Sequence, residues 1–157
     1  MAVFLIVVVV ALVPALFYVL FIRLLDLFEK EPLWLVSIAF LWGAIPAVVI
    51  ALIGELAGSL AYSTLVSADP NNVDAVSAAV LAPVIEELAK GAFLALLFVA
   101  FRRQIDSPLD GLVIGATVGF GFAASENVVY LLGAYSTDGT TALVVTAMLR
   151  IVVLGFG

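Results

Sequence analysis

Three charged side chains lie close together in the middle of a long apolar stretch. Glu86 and Glu87 are adjacent, and Lys90 follows within one helical turn. The surrounding run, about 76–101, is dominated by Ala, Val, Leu, Ile and Phe, and a bilayer needs about 20 such residues to be crossed. Charges at that depth cost at least ~2.5–3.5 kcal/mol each and persist where they face a protein interior or water. The stretch is therefore predicted to be a functional site.

Paired carboxylates in such a setting could perform acid–base chemistry. One could stay ionised as a general base while another stays protonated as a general acid. A water molecule held between them could attack a peptide carbonyl, with Asn127, Arg150 or Lys90 stabilising the oxyanion. Buried acids could equally bind the coupling ion of a proton- or ion-coupled transporter, and a third reading is a non-catalytic membrane scaffold subunit. The residue types alone do not choose among these three.

The composition is that of a multi-pass membrane protein. Of the 157 residues, 66% are hydrophobic and only 11% are charged, whereas a soluble domain has about 25% charged residues. The net charge of −6 argues against a nucleic-acid partner, which would require basic patches. The sequence has no cysteine and no histidine, which excludes His-ligated zinc and Ser/His or Cys/His catalysis built from these residues alone.

Apolar runs predict an all-α, polytopic bundle of about five membrane helices in a single transmembrane domain. The second run exceeds what a bilayer needs, so it is either tilted or broken near Gly43 and Pro46. Because the last run ends without a polar tail, we expect the chain to be a C-terminally truncated fragment of a longer bundle. The predicted helices are 2–22, 33–62, 75–101, 111–135 and 141–157.

Lysine and arginine fall in alternate loops. Arg23 and Lys30 lie in the first loop, Arg102 and Arg103 lie in the third, and the second and fourth loops have neither residue type. The positive-inside rule then predicts that the N-terminus lies outside the cell membrane.

Depth estimates place the polar groups near one another. Glu86 and Glu87 lie ~11–12 residues into their helix, near the midplane. Adjacent side chains diverge by ~100°, so one glutamate is predicted to face the site while the other supports it or pairs with Lys90. Arg150 has a similar depth, and its predicted counter-ion is one of the two glutamates. Glu126 and its neighbour Asn127 could join the same site from the outer half of the fourth helix.

Other features have structural interpretations. Glu86 and Lys90 could form an ion pair that only holds the bundle together. Asp110 is predicted to be a helix N-cap, and Glu55, near the outer interface, is predicted to be solvated. A row of small residues predicts close helix packing; it consists of Gly111, Gly115, Gly119 and Ala123.

Four blocks of the sequence resemble a known family. Glu86-Glu87-Leu88-Ala89-Lys90 resembles the EExxK motif of the PrsW family of intramembrane proteases. Phe28-Glu29-Lys30-Glu31-Pro32 resembles the acidic loop signature of that family. The segment from Asp110-Gly111 through Gly119-Phe120-Gly121-Phe122-Ala123 to Glu126-Asn127 resembles its next block, and Arg150 falls where the family has an arginine ahead of a histidine.

The resemblance implies a multi-pass peptidase that acts on membrane-associated proteins such as anti-sigma factors, with Glu86 and Glu87 as the catalytic centre and Glu126 contributing. The family is related to the CAAX prenyl endopeptidases and bacteriocin-processing proteases. It has been described both as a metalloprotease and as a glutamate-type hydrolase, so a zinc cofactor is possible by resemblance. Because the chain stops before the family's histidine-bearing helices, we expect these residues alone to be inactive.

Overall fold

The chain folds into long helices that lie side by side. The computed structural model describes residues 1–25, 31–66, 69–100 and 107–153, and in these ranges it contains helices and no strand. The predicted all-α class is therefore confirmed. The helices are α1 (Ala2–Leu25), α2 (Leu33–Val66), α3 (70–100) and α4 (Pro108–Ala147).

Side-chain caps determine where α3 and α4 begin. The Asp69 carboxylate accepts a hydrogen bond from the backbone N–H of Asn71 at 2.9 Å, and Pro70 follows at the first helical position, where its missing N–H costs nothing. Ser107 and Asp110 form a reciprocal capping box, with each side chain accepting from the other's backbone N–H. The predicted N-cap at Asp110 is therefore wrong. Ser107 is the cap, because Pro108 already starts the helix.

Helix α2 continues through Gly43 and Pro46, where a break is one of the two alternatives for this run. The segment Gly43–Ala47 has π-helical geometry and includes Pro46, which cannot donate a backbone hydrogen bond. The Ser125 hydroxyl of α4 donates to the carbonyl oxygen of Ala44 at 2.6 Å. An interhelical hydrogen bond thus satisfies a backbone group in the irregular segment, and α2 runs unbroken from Leu33 to Val66.

Helix α4 reverses direction at Asp138 and Gly139. Gly139 has φ 69° and ψ −148°, a region that side chains with a Cβ rarely adopt. Arg150 hydrogen-bonds Glu126, 24 residues earlier, whereas a straight helix would hold them about 36 Å apart. The element is a helical hairpin with a first arm, 108–137, and a second arm, 140–153, which ends in the π-helical segment Met148–Val153.

Some of the helices are long and apolar enough to cross a membrane. Among the described residues, three segments are long and apolar enough to cross a membrane, namely Ala2–Leu24, Leu33–Val66 and Pro108–Ile151. The predicted count of about five is not confirmed. Helix α3, which carries Glu86, Glu87 and Lys90, is not among the three, and the last segment contains both arms of the hairpin.

Helices that follow one another in the chain alternate in direction. Tyr18 of α1 stacks on Phe120 of α4 with ring centroids 5.4 Å apart, and nearer the start of α1, Val7 packs with Leu131. Helix α1 is therefore antiparallel to the first arm of α4. A buried cluster joins the start of α2 to the start of α4 and the end of α3; it includes Leu35, Phe93, Leu97 and Ile114. We call this end of the bundle the near end, and the end at 66–70 and Gly139 the far end.

The closest helix contact involves Gly43 and Gly121. A methyl group at Gly43 would overlap the carbonyl oxygen of Val118, and one at Gly121 would overlap the carbonyl oxygen of Phe40. These two glycines let the backbones of α2 and α4 touch.

The predicted row of small residues plays a smaller part in packing. Of its glycines, Gly115 alone has a neighbour near its Cβ position, Leu94 at 3.3 Å, while Gly111 and Gly119 have none within 4 Å among the described residues. The prediction is wrong for Gly111 and Gly119. Gly121 lies ~200° around the helix from Gly119, and this different face meets α2.

Candidate active site

The two adjacent glutamates of α3 have different surroundings. The Lys90 ammonium lies 2.8 Å from Glu87 Oε1 and 3.4 Å from Glu86 Oε2. The Glu87 side chain is 75% exposed, whereas that of Glu86 is 26% exposed. Glu86 is thus the glutamate that faces the bundle, and Glu87 is the outer partner of Lys90.

Aromatic residues of neighbouring helices hold this cluster. The Lys90 ammonium lies 4.2 Å from the centroid of the buried Phe122 ring of α4, a cation–π contact. The Trp42 indole N–H of α2 donates to the carbonyl oxygen of Ala89 at 3.2 Å, and its ring stacks on Phe93. Helices α2 and α4 therefore both fix the position of the charged segment of α3.

Arg150 closes a second charged cluster across the hairpin. Its Nη2 donates to Glu126 Oε2 at 2.9 Å, and its Nε donates to Asn127 Oδ1 at 2.6 Å. The guanidinium also lies 4.0 Å from the centroid of the Tyr130 ring. The predicted counter-ion, Glu86 or Glu87, is therefore wrong. The turn at Gly139 brings Arg150 back beside Glu126.

Two cavities connect these clusters. Cavity A, of about 570 Å³, lies between the far-end half of α2, the first half of α3 and the first arm of α4. Cavity B, of about 490 Å³, lies closer to the near end and is lined by Lys90 and Arg150. Glu86, Phe122 and Glu126 line both cavities. The structure thus brings Glu86 and Glu126 to a common space, while Glu87 and Asn127 line neither cavity.

Two acidic residues in cavity A were missed as site residues. Glu55 and Asp74 both line this cavity, although Glu55 was predicted to be solvated near the outer interface. The sequence does contain a signal for Glu55. It is a lone carboxylate in an apolar run, so placing its charge in the membrane costs as much free energy as placing that of Glu86. Asp74 has no such signal, because it is the last residue of the polar segment 63–74, whose sequence predicts a loop.

The described residues do not provide a zinc site on their own. Within these ranges no group of three His, Cys, Asp or Glu side chains converges on a point that could hold a metal ion. Carboxylates alone also favour harder cations than zinc. Of the predicted acidic loop motif, Glu31 is buried, while Phe28, Glu29 and Lys30 lie outside the described residues.

Comparisons with known proteins agree with the motifs. The pattern of the PrsW family intramembrane metalloproteases matches residues 31–157. Protease PrsW from Geobacillus kaustophilus (strain HTA426) is 32% identical over an alignment 138 residues long, which covers 83% of this chain and 56% of that protein. The chain thus spans little more than half the length of that relative. No solved structure matches the chain. The match over most of the sequence confirms the resemblance, and this membrane-embedded chain belongs to the PrsW family of intramembrane metalloproteases.

Proposed function

We propose that this protein is an intramembrane endopeptidase that hydrolyses a peptide bond in a membrane-associated protein, such as an anti-sigma-factor-like protein. One observation carries the proposal. Glu86 and Glu126 come from different helices and line the same two cavities within the bundle. Membership of a protease family supports this reading and does not favour the transporter or the scaffold alternative.

Glu86 is the group that we assign to water activation. Lys90 contacts one of its carboxylate oxygens, Oε2, and no other described residue hydrogen-bonds the second oxygen, which is available to a water molecule. The carboxylate takes a proton as the water oxygen attacks the substrate carbonyl carbon. It then returns that proton to the leaving amide nitrogen as the C–N bond breaks.

Cations beside Glu86 can stabilise the oxyanion that forms in this step. Lys90 has three N–H donors and uses two on Glu86 and Glu87. Arg150 has five and uses two on Glu126 and Asn127. Lys90 is paired with Glu86 and Arg150 with Glu126, the two carboxylates at which cavities A and B meet. Their remaining donors therefore lie near the boundary of the two cavities, where charge develops. In this scheme Glu126 and Asn127 orient Arg150.

The adjacent glutamates supply a matched pair of variants. The protein at its full encoded length is reconstituted in liposomes with tagged single-span substrates, and cleavage is followed for Glu86→Gln and Glu87→Gln. We expect Glu86→Gln to lower kcat by about 10²–10⁴-fold, as for loss of a general base. Glu87→Gln should lower it by less than about 10-fold, because it acts only through Lys90. Unchanged cleavage by Glu86→Gln contradicts the assignment.

A further inference from the structure

Two cavities reach the same three side chains from opposite ends of the bundle. Cavity A is lined by positions 74–86 of α3 and 122–130 of α4, which extend toward the far end. Cavity B is lined by positions 86–90 of α3 and 116–126 of α4, which extend toward the near end. The two spaces meet at Glu86, Phe122 and Glu126. The reacting groups therefore have two distinct approaches.

The linings of the cavities differ in chemistry. Cavity A has no Lys or Arg among its described lining residues. Besides the two shared carboxylates it has Glu55 and Asp74, and most of the remaining wall is apolar, including Val48, Leu52 and Val129. Cavity B has Lys90 and Arg150 beside the two shared carboxylates, and much of its remaining wall is small. One space thus presents apolar surface and acidic groups from three helices, and the other presents ion pairs.

Phe122 lies at the boundary between the two spaces. Its side chain lines both cavities, only 5% of the residue is exposed, and Lys90 lies over its ring. The ring thus forms part of the boundary at which cavity A and cavity B meet.

We propose that cavity A holds an extended, apolar stretch of the substrate and that cavity B supplies water to Glu86. The assignment rests on the proposed function. The volume of cavity A, about 570 Å³, is in the range of pockets that enclose a ligand, and apolar walls are typical of such pockets. Ordered water needs two to four polar partners, which the ion pairs of cavity B provide. A peptide in cavity B would displace water from the ion pairs of Lys90 and Arg150, and removing charged groups from water is costly even when they are paired.

Cysteine labelling tests the supply of water. The sequence contains no cysteine, so Gly119→Cys places a single thiol in cavity B. Apart from the adjoining part of its own helix, no described atom lies within 4 Å of the new Cβ. Ile6→Cys, at an exposed position of α1 that lines neither cavity, is the control. In proteoliposomes we expect a charged methanethiosulfonate to label Gly119→Cys at least about 10-fold faster than Ile6→Cys, since thiolate forms where water reaches it. Equal rates overturn the proposal.

Crosslinking tests where the substrate lies. Ala78→Cys and Gly119→Cys, one in each cavity, are each modified with a benzophenone maleimide and irradiated with a single-span substrate. We expect capture of the substrate from Ala78→Cys and none from Gly119→Cys. Capture from Gly119→Cys, alone or together with Ala78→Cys, overturns the assignment.

Kinetics separate the two roles. Ala78→Leu narrows cavity A and should raise KM several-fold with little change in kcat, whereas Gly119→Leu narrows cavity B and should lower kcat with little change in KM. Gly133→Leu, the same change at a helical glycine that lines neither cavity, should keep both near wild type. The reverse pattern overturns the proposal.

Absence of any cleavage by the wild-type protein contradicts the proposed function, while the labelling result still decides whether water reaches cavity B.

Discussion

The two charged clusters of the site are held together by different parts of the chain. Lys90 reaches Glu86 and Glu87 within one turn of α3, so this cluster forms wherever α3 is helical. Arg150 reaches Glu126 and Asn127 only because the hairpin of α4 folds back on itself. The first cluster is a property of local sequence, and the second is a property of tertiary structure.

Arg150→Met is the substitution that tests this difference most strongly. It removes two hydrogen bonds and the contact with the Tyr130 ring. Interhelical polar contacts in membrane proteins average about 0.6 kcal/mol and reach about 1.7 kcal/mol, so we expect a loss of about 2–3 kcal/mol. The measurement is the free energy of unfolding in mixed micelles.

A double-mutant cycle with Glu126→Gln isolates the ion pair from the rest of that loss. The two substitutions should be clearly non-additive, because each removes a partner of the other. Strict additivity would show that Arg150 and Glu126 do not interact.

Gly139→Ala should weaken the tertiary cluster without touching either charged group. Its backbone conformation costs a residue with a Cβ about 1–3 kcal/mol. Gly133→Ala is the matched control, because Gly133 lies in regular helix and no described atom lies within 4 Å of its Cβ position. Alanine there should leave the free energy of unfolding unchanged or raise it by up to about 1 kcal/mol. Similar losses for the two variants would contradict the role of the turn.

Lys90→Met should have the smallest effect on the free energy of unfolding. Each local ion pair along a helix contributes about 0.2–0.5 kcal/mol, and Lys90 makes two. Its contact with the Phe122 ring adds about 0.5–1 kcal/mol, so we expect a loss of about 1–2 kcal/mol. The same unfolding assay measures it. A loss equal to that of Arg150→Met would remove the distinction between the clusters.

The sequence alone predicted those features that depend on composition or local spacing. The all-α class followed from the apolar runs, and the pairing of Lys90 with Glu86 and Glu87 followed from their spacing on one helix. The cost of placing a charge in an apolar run does not depend on the neighbouring helices. For that reason Glu126 and Arg150 could be selected before any packing was known.

Features that depend on how helices meet could not be predicted in this way. Residue counts from the helix ends give Arg150 a depth near that of Glu86. The partner of Arg150 is instead determined by the turn at Gly139. Glu126 and Arg150 are almost equally far from this turn along the chain, so the turn brings them together. Gly43 and Gly121 touch opposite backbones, but they lie on different helices and share no spacing pattern. The cavities likewise arise from three helices at once.

The backbone contact at Gly43 and Gly121 also limits how cavity A can change shape. At this contact, α2 cannot move away from α4 without breaking the close approach of the two backbones. Closer to the far end, α2 packs against α3, where Gly54 and Gly58 contact the side chain of Ile85. Any tilt of α2 would therefore pivot at this contact. A tilt of the far-end half of α2 about it would widen cavity A, while cavity B, which α2 does not line, would keep its geometry.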